Sequence, residues 1–255
     1  MVKKVHPNLK LISHSGKILA SALLLSKKLA LPGITPAEID LKINSFIRSH
    51  GATPSFLGLD GYMYSTCISI NNQVVHAVPT NSPLEYGDMV TIDIGVMFKG
   101  HCTDAARTFV VGKPTKEQQK LIKTANLALD DGIKAAIVGN RVGDISYAIQ
   151  RCVELNGLRS PLEFGGHGIG FKPHENPFIS NTGMKGKGMK LIEGIGLAIE
   201  PIVMSGSIGV FIDEVDGCTC YSDDGSLSAH VEDTIIVSYS IPFILTRETL
   251  SGGIV

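Results

Sequence analysis

The chain has 255 residues, 44% of them hydrophobic and 18% charged, with 23 Lys+Arg against 24 Asp+Glu. That length and apolar content supply a sizeable core and exclude compositional disorder, so one globular domain over residues 1–255 is expected. A formal charge of −1 provides no field to gather DNA or an anionic membrane, and neither is expected as a partner.

From Asn8 to Ala30 apolar residues recur at helical spacing (Leu11, Ile12, Ile18, Leu19, Ala22, Leu23, Leu29), and Leu31-Pro32-Gly33 ends the pattern. Its apolar stretch Ile18 to Leu25, between Lys17 and Lys27-Lys28, is far shorter than the ~20 residues of a membrane span. It also lacks a secretory cleavage pattern, which points to the cytoplasm. Thr35-Pro36-Ala37-Glu38 reads as a capping box with proline at the first helical position, opening a second helix that Gly51 stops. Residues 66–70 and 74–78 read as a hairpin turning at Asn71-Asn72-Gln73. A second hairpin joins Met89–Met97 to Cys102–Val111 through the turn signal Lys99-Gly100. Thr115-Lys116-Glu117-Gln118 caps a helix to about Val138, and Asp144 opens another to about Asn156. Strands are expected around 197–203, 209–212, 218–222, 229–237 and 242–245. The order helix, helix, strands thus occurs twice, which predicts an α+β sheet with helices on one side and approximate two-fold symmetry.

Carboxylates inside apolar strand runs are the first candidates for chemistry, because a buried carboxylate must be paired, hydrogen-bonded or metal-bound. Asp93 lies in Val90–Val96; with the hairpin turning near Phe98-Lys99, positions whose numbers sum to 197 lie opposite, which sets Asp93 facing Asp104. Two such carboxylates repel, and a divalent cation between them resolves the clash. Taken alone the pair also reads as solvent-facing, or as salt-bridged to Arg107. Glu200 before Pro201 and Glu232 before Asp233 repeat the theme, each with a bland reading as an edge residue. His167 stands among glycines in Phe164–Gly170, with His174 seven residues on, whereas His6, His14 and His50 have no such frame and read as solvated. The four carboxylates balance two divalent cations, and an oxygen-rich set with one imidazole suits Mn, Fe(II) or Co better than structural zinc. Five cysteines (Cys67, Cys102, Cys152, Cys218, Cys220) without C-x-x-C suggest that most are reduced, buried thiols.

The ordered set Asp93, Asp104, His167, Glu200, Glu232 resembles the five-ligand metal centre of the methionine aminopeptidase, prolidase and creatinase superfamily. Asp93-Ile94-Gly95, Arg107-Thr108-Phe109, Gly166–Gly170, His174–Pro177, Glu200-Pro201 and Glu232-Asp233-Thr234 all carry the resemblance, as do Pro32–Thr35, Cys67–Asn71 and Val75–Pro79. It covers nearly the whole chain. The resemblance implies the pita-bread fold and, from chain length, a type I methionine aminopeptidase without N-terminal extension. It implies hydrolysis of the first peptide bond by a hydroxide bridging two divalent ions (Co, Mn, Fe(II) or Zn). Asp104 and Glu232 would bridge them, Asp93 would complete one shell, and His167 and Glu200 the other. Glu200 would shuttle a proton, and His76 and His174 would contact substrate and stabilise the tetrahedral intermediate. The implied substrates are N-termini of nascent polypeptides near the ribosome, met by a monomer. The alternatives are an altered first-residue preference, or a non-catalytic binding module on the same fold; such modules generally lack the full ligand set that this chain keeps.

Departures from the family pattern fall in the methionine pocket. Pro173 and Cys218 stand where aromatics are usual, Leu59 likewise, and His230 occupies a place often held by glutamine, while Tyr62 and Cys67 match. Phe56 and Phe171 are the aromatics near enough in sequence to compensate.

Overall fold

The computed structural model describes residues 7–247. In chain order it contains α1 (Leu9–Leu29), α2 (Pro36–Ser49), β1 (Thr53–Pro54), β2 (Thr66–Ile70), β3 (Gln73–Val75), β4 (Met89–Phe98) and β5 (His101–Val110). The second half contains α3 (Lys116–Ala135), α4 (Val142–Leu155), β6 (Gly165–Gly168), β7 (Glu175–Ser180), β8 (Gly196–Ile199) and β9 (Ile202–Met204). Five short strands follow: β10 (Val210–Ile212), β11 (Cys220–Ser222), β12 (Ser228–His230), β13 (Asp233–Ile236) and β14 (Phe243–Ile244).

Local chemistry sets the helix ends. The Asn8 side chain accepts from the Lys10 and Leu11 N–H groups at 3.0 and 3.3 Å, satisfying two donors that the first turn leaves free. Thr35 with Glu38 and Thr115 with Gln118 both form the expected capping boxes. α3 ends at Ala135, three residues before the expected Val138, and α4 begins at Val142, two before Asp144.

Each helix pair covers one half of the sheet. Ile18, Leu19 and Leu23 of α1 and Ile39, Ile43 and Ile47 of α2 bury against Val90, Ile92, Ile94 and Val96 of β4. Leu121 and Leu129 of α3 and Ile145, Ile149 and Val153 of α4 pack in the same way on Leu197, Ile199 and Ile235. Burial of each such side chain contributes roughly 1.5–3 kcal/mol. Within β4 the even-numbered residues face these helices, so period-two alternation turns Thr91, Asp93 and Gly95 to the other face. That alternation puts acid groups where the two halves meet.

The halves join edge to edge. The Glu232 N–H donates to the Ala106 carbonyl at 3.0 Å, and Thr234 Oγ1 accepts from the Asp104 N–H at 2.8 Å while donating to its carbonyl at 2.7 Å. The result is the duplicated, curved pita-bread arrangement, with strand order β1-β4-β2 and β5 on β4 in one half and β14-β13-β8-β6-β7 in the other.

Three expectations are corrected. The β4–β5 turn is the two-residue Lys99-Gly100, both left-handed (φ 47° and 74°), so Phe98 pairs with His101 and opposed positions sum to 199. Asp93 therefore pairs with Ala106 and Asp104 with Gly95, which makes the two aspartates diagonal neighbours on one face. The 66–78 segment does turn at Asn71, but β2 pairs with β4 and β3 leaves to pair with β11, with only the Ile68 N–H reaching the Ala77 carbonyl. β6 and β7, where no strand was expected, form a glycine-rich ladder. A Cβ at Gly166 would sit 2.3 Å from the Ala198 carbonyl oxygen, so only glycine lets these backbones approach.

Candidate metal centre

The candidate ligands stand on both halves of the sheet, several of them where ladders break. Asp93 and Asp104 project from the face of β4 and β5 turned away from α1 and α2. Glu200 lies between β8 and β9, where Pro201 removes a ladder donor, and Glu232 lies between β12 and β13. His167 sits on β6 at a register shift, opposite Phe178 and Ala198. Its Nδ1 is 3.0 Å from the Gly168 carbonyl, which can only accept, so Nδ1 carries the proton and Nε2 offers its lone pair 3.5 Å from Glu200 Oε1.

Ligand atoms of Asp93, Asp104 and Glu232 all lie within 4.8 Å of one another, as do those of His167, Glu200 and Glu232. The two groups share Glu232. A third such group combines Asp104, His167 and His174. Asp93, Asp104 and Glu232 are buried, and one oxygen of each (Oδ1, Oδ1 and Oε1) has no hydrogen-bond partner. Burial first, then mutual repulsion, pushes the Asp104 and Glu232 carboxyls well above the usual range; burial raises Asp93 to about 6. Orphaned, mutually repelling buried oxygens are costly unless a cation answers them, so this donor set fits divalent metal. Arg107 does not supply that charge. Its guanidinium is turned to the buried Asp233, 2.6 Å away, and to the Glu232 carbonyl.

All nine sequence-predicted site residues line one cavity of about 310 Å³: Asp93, Asp104, His167, Glu200, Glu232, His76, His174, Tyr62 and Cys67. Cys67 is buried directly opposite Asp93 on the β2–β4 ladder, and burial pushes its thiol up. The Tyr62 hydroxyl lies 2.9 Å from the Thr66 carbonyl and 3.3 Å from that of Ala77, and burial raises its pKa. His76, held at φ 58°, meets Phe164 edge to face, and His174 lies with its ring centroid 4.6 Å from that of His167. Both rings keep solvent-accessible surface yet stand between the cavity walls, and that desolvation pulls their pKa values down. His230 is buried, with Nε2 3.4 Å from Glu200 Oε2. Burial lowers its pKa, but the neighbouring carboxylates of Glu200 and Asp93 outweigh that and raise it.

Of the pocket residues singled out by sequence, Leu59, Cys218, His230 and Phe56 line the cavity; Pro173 and Phe171 do not, and Phe171 lies instead against His101, 5.4 Å between ring centroids. Asp60, Ile212 and Gly217 also line it and were not anticipated. Ile212 and Gly217 arrive on the β10–β11 hairpin, and no local pattern marks which hairpin will fold over a cavity. His14 and His50 are exposed as expected, His6 lies outside the described residues, and all five cysteines are free.

The chain belongs to metallopeptidase family M24, whose match spans residues 10–239. Within that family its relatives are methionine aminopeptidases. One from Clostridium perfringens is 46% identical over 96% of this chain and 98% of its own length, and methionine aminopeptidase 1 of Mycobacterium tuberculosis is 41% identical over 91% and 90%. The crystal structure of the methionine aminopeptidase from Thermotoga maritima superposes with a TM-score of 0.94 at 36% identity, covering 97% of this chain and all of that one. Prolidase from Pyrococcus furiosus, at 22% identity and a TM-score of 0.79 over 96% of this chain and 66% of that one, shares the fold.

Proposed function

We propose that this chain removes the initiator methionine from newly made polypeptides, using two divalent ions held by Asp93, Asp104, His167, Glu200 and Glu232. The observation that carries the reading is the trio of buried carboxylates with orphaned oxygens, in one cavity with His167 and Glu200. Glu232 and Asp104 each belong to two of the three ligand groups, and as carboxylates with two oxygens each they would be the residues to bridge the ions. When bound, the ions activate water and polarise the scissile carbonyl. Glu200 takes the proton of the attacking water and delivers it to the departing amine. His76 and His174, kept neutral at pH 7 by their lowered pKa values, donate N–H groups to the oxygen on which negative charge develops. Tyr62 and Cys67 hold the methionine side chain.

The chain acts as one catalytic domain, because the cavity draws its walls from both halves of the sheet. No helix among the described residues is long and apolar enough to cross a membrane. A monomer working in the cytoplasm, where nascent N-termini leave the ribosome, completes the proposal. Metal titration by calorimetry alongside turnover of Met-Ala and Met-Leu peptides tests it. Uptake of two ions, methionine release and a strong preference for Met-Ala are expected, with turnover and tight metal binding both lost in Asp104→Ala. Full activity of Asp104→Ala would overturn the two-metal assignment, and equal rates on the two peptides would count against the role in protein maturation.

A further inference from the structure

The cavity wall that carries Tyr62 and Cys67 also carries a charge the proposed reaction does not use. Asp60 lines the cavity from a tight turn closed by the Gly58 N–H to the Tyr62 carbonyl and the Tyr62 N–H to the Leu59 carbonyl. Its backbone is left-handed, at φ 48° and ψ 29°, between Gly58 at φ 88° and Gly61 at φ 87°. Among side-chain-bearing residues, aspartate and asparagine tolerate that conformation best. Exposure orders this wall: Cys67 is buried, Leu59 and Tyr62 are half-buried, and Asp60 is exposed. Asp60 therefore stands at the mouth.

Its carboxylate is uncompensated. Among the described residues it has no ion-pair partner, and no lysine or arginine lines the cavity. Ile212, Gly217 and Cys218 line the same cavity from a hairpin that also carries Asp213, Glu214 and Asp216, and residues 191–246 contain no lysine or arginine at all. Deeper in, the four carboxylates of the metal centre are balanced by the two divalent ions of the proposed function. What remains among the cavity-lining charges is the Asp60 carboxylate. Cleavage at the first bond leaves the rest of the substrate outside the cavity, so the chain beyond its second residue passes this mouth.

We infer that Asp60 is a specificity-determining residue that favours lysine or arginine just after the second residue of the substrate and disfavours glutamate or aspartate there. The inference rests on the aminopeptidase reading, which fixes where the substrate chain leaves. Exposed charge pairs are worth about 1.4- to 5-fold each, and opposite signs act in opposite directions. A Met-Ala-Lys over Met-Ala-Glu ratio in kcat/KM of roughly 3- to 10-fold is expected at low salt, shrinking as salt screens it.

The test compares the metal-loaded parent with Asp60→Asn, which keeps the turn geometry and removes the charge, on Met-Ala-Lys, Met-Ala-Ala and Met-Ala-Glu peptides. Each rate is taken relative to Met-Ala-Ala cleavage by the same protein. Calorimetric binding of non-cleavable analogues of the same peptides to metal-loaded parent and variant, in which the carboxylates of the metal centre stay balanced, gives a readout independent of turnover. The expected result is an order Lys, Ala, Glu in the parent that collapses toward unity in the variant by both measures. An unchanged ratio in Asp60→Asn overturns the inference while leaving the enzyme intact. A uniform loss over all three peptides overturns it too, because Asp60 would then act through the nearby His174 rather than on the substrate's charge. Charge-ordered binding lost in the variant without hydrolysis by the parent supports the inference and sinks the aminopeptidase reading instead.

Discussion

Replacing Asp233 by alanine tests how the candidate centre is held in place. The side chain is fully buried and accepts from Arg107 Nη2 at 2.6 Å, Arg247 Nε at 2.5 Å and Thr246 Oγ1 at 2.8 Å. Arg107 meanwhile donates to the backbone carbonyl of Glu232, the candidate bridging residue. Alanine would take this shared acceptor from two guanidinium groups and a hydroxyl, although Arg107 keeps backbone carbonyls and Arg247 keeps Asp130 at 2.8 Å. Breaking a buried ion pair costs about 3–5 kcal/mol; the arginine side chains keep 28% and 39% of their surface, so both can partly rehydrate, which favours the lower end, about 3 kcal/mol. For a chain of this size that is a fall in Tm of roughly 6–12 °C. Urea unfolding of Asp233→Ala, Arg107→Ala and the double variant would give both the loss and the coupling, expected above about 1 kcal/mol. Metal affinity should fall with stability, because Arg107, no longer anchored by Asp233, holds the Glu232 backbone less firmly. A single variant within about 1 kcal/mol of the parent and with unchanged metal affinity would refute the argument, since surface-like pairs behave in that way.

His76→Ala should leave the number of bound ions unchanged while lowering kcat by about 10²–10³, the range seen when one oxyanion donor is lost; calorimetry beside peptide kinetics reads both. Gly95→Ala would place a Cβ 2.1 Å from Ser55 Oγ and 2.6 Å from Phe56 Cε1. Overpacking of about 1–3 kcal/mol is expected by thermal unfolding, with a raised KM for Met-Ala peptides because Phe56 walls the cavity. Asp40 accepts at Oδ1 from Ser65 N–H, Thr66 N–H and Thr66 Oγ1, yet burial still raises its pKa above the ordinary 3.8. A raised carboxyl stabilises the fold below its unfolded pKa and loses that contribution as pH rises through the folded value. The stability of Asp40→Asn relative to the parent should therefore increase from pH 3 to pH 7, and a difference flat in pH would refute the sign. Methionine should outrun norleucine as first residue by no more than about tenfold in kcat/KM if one of the cavity's two rings, Phe56 or Tyr62, meets the sulfur, and by no more than about 150-fold if both do, because sulfur–aromatic contacts are worth only ~0.3–1.5 kcal/mol each; kinetics on matched Met- and norleucyl-peptides read the ratio.

The helices were the most legible part of the fold because their ends are set by neighbours in sequence. Asn8, Thr35 and Thr115 cap where their spacing says they should. Strand pairing is set by partners far away, which no local pattern marks. β3 looks like the return arm of a hairpin, but its ladder partner is β11, more than a hundred residues on. β6 leaves no strand signal because Gly165, Gly166 and Gly168 have low strand propensity, although each is needed where a neighbouring carbonyl comes within 2.5 Å of a would-be Cβ. A turn placed one residue early was enough to set Asp93 against Asp104 rather than diagonal to it.

The candidate site survived that error for a physical reason. A slip of an odd number of residues would have turned one aspartate into the helix-covered core, but the discrepancy in paired sum is two, which preserves the face. Face, not opposition, decides whether two carboxylates can share a cation, and at diagonal positions the ligand atoms still come within 4.8 Å. The same logic explains why Glu200 and Glu232 were detectable without knowing that their strands break. An acid inside an apolar run is improbable in a continuous two-sided strand, so the run had to contain either a metal or an interruption, and here interruption and carboxylate coincide. Releasing Glu200 and Glu232 from the ladder lets each turn its carboxylate into the seam between the halves. Asp60 had no comparable signal: an acid in a glycine-bounded turn is ordinary, and only the cavity on one side of that turn gives its charge a consequence.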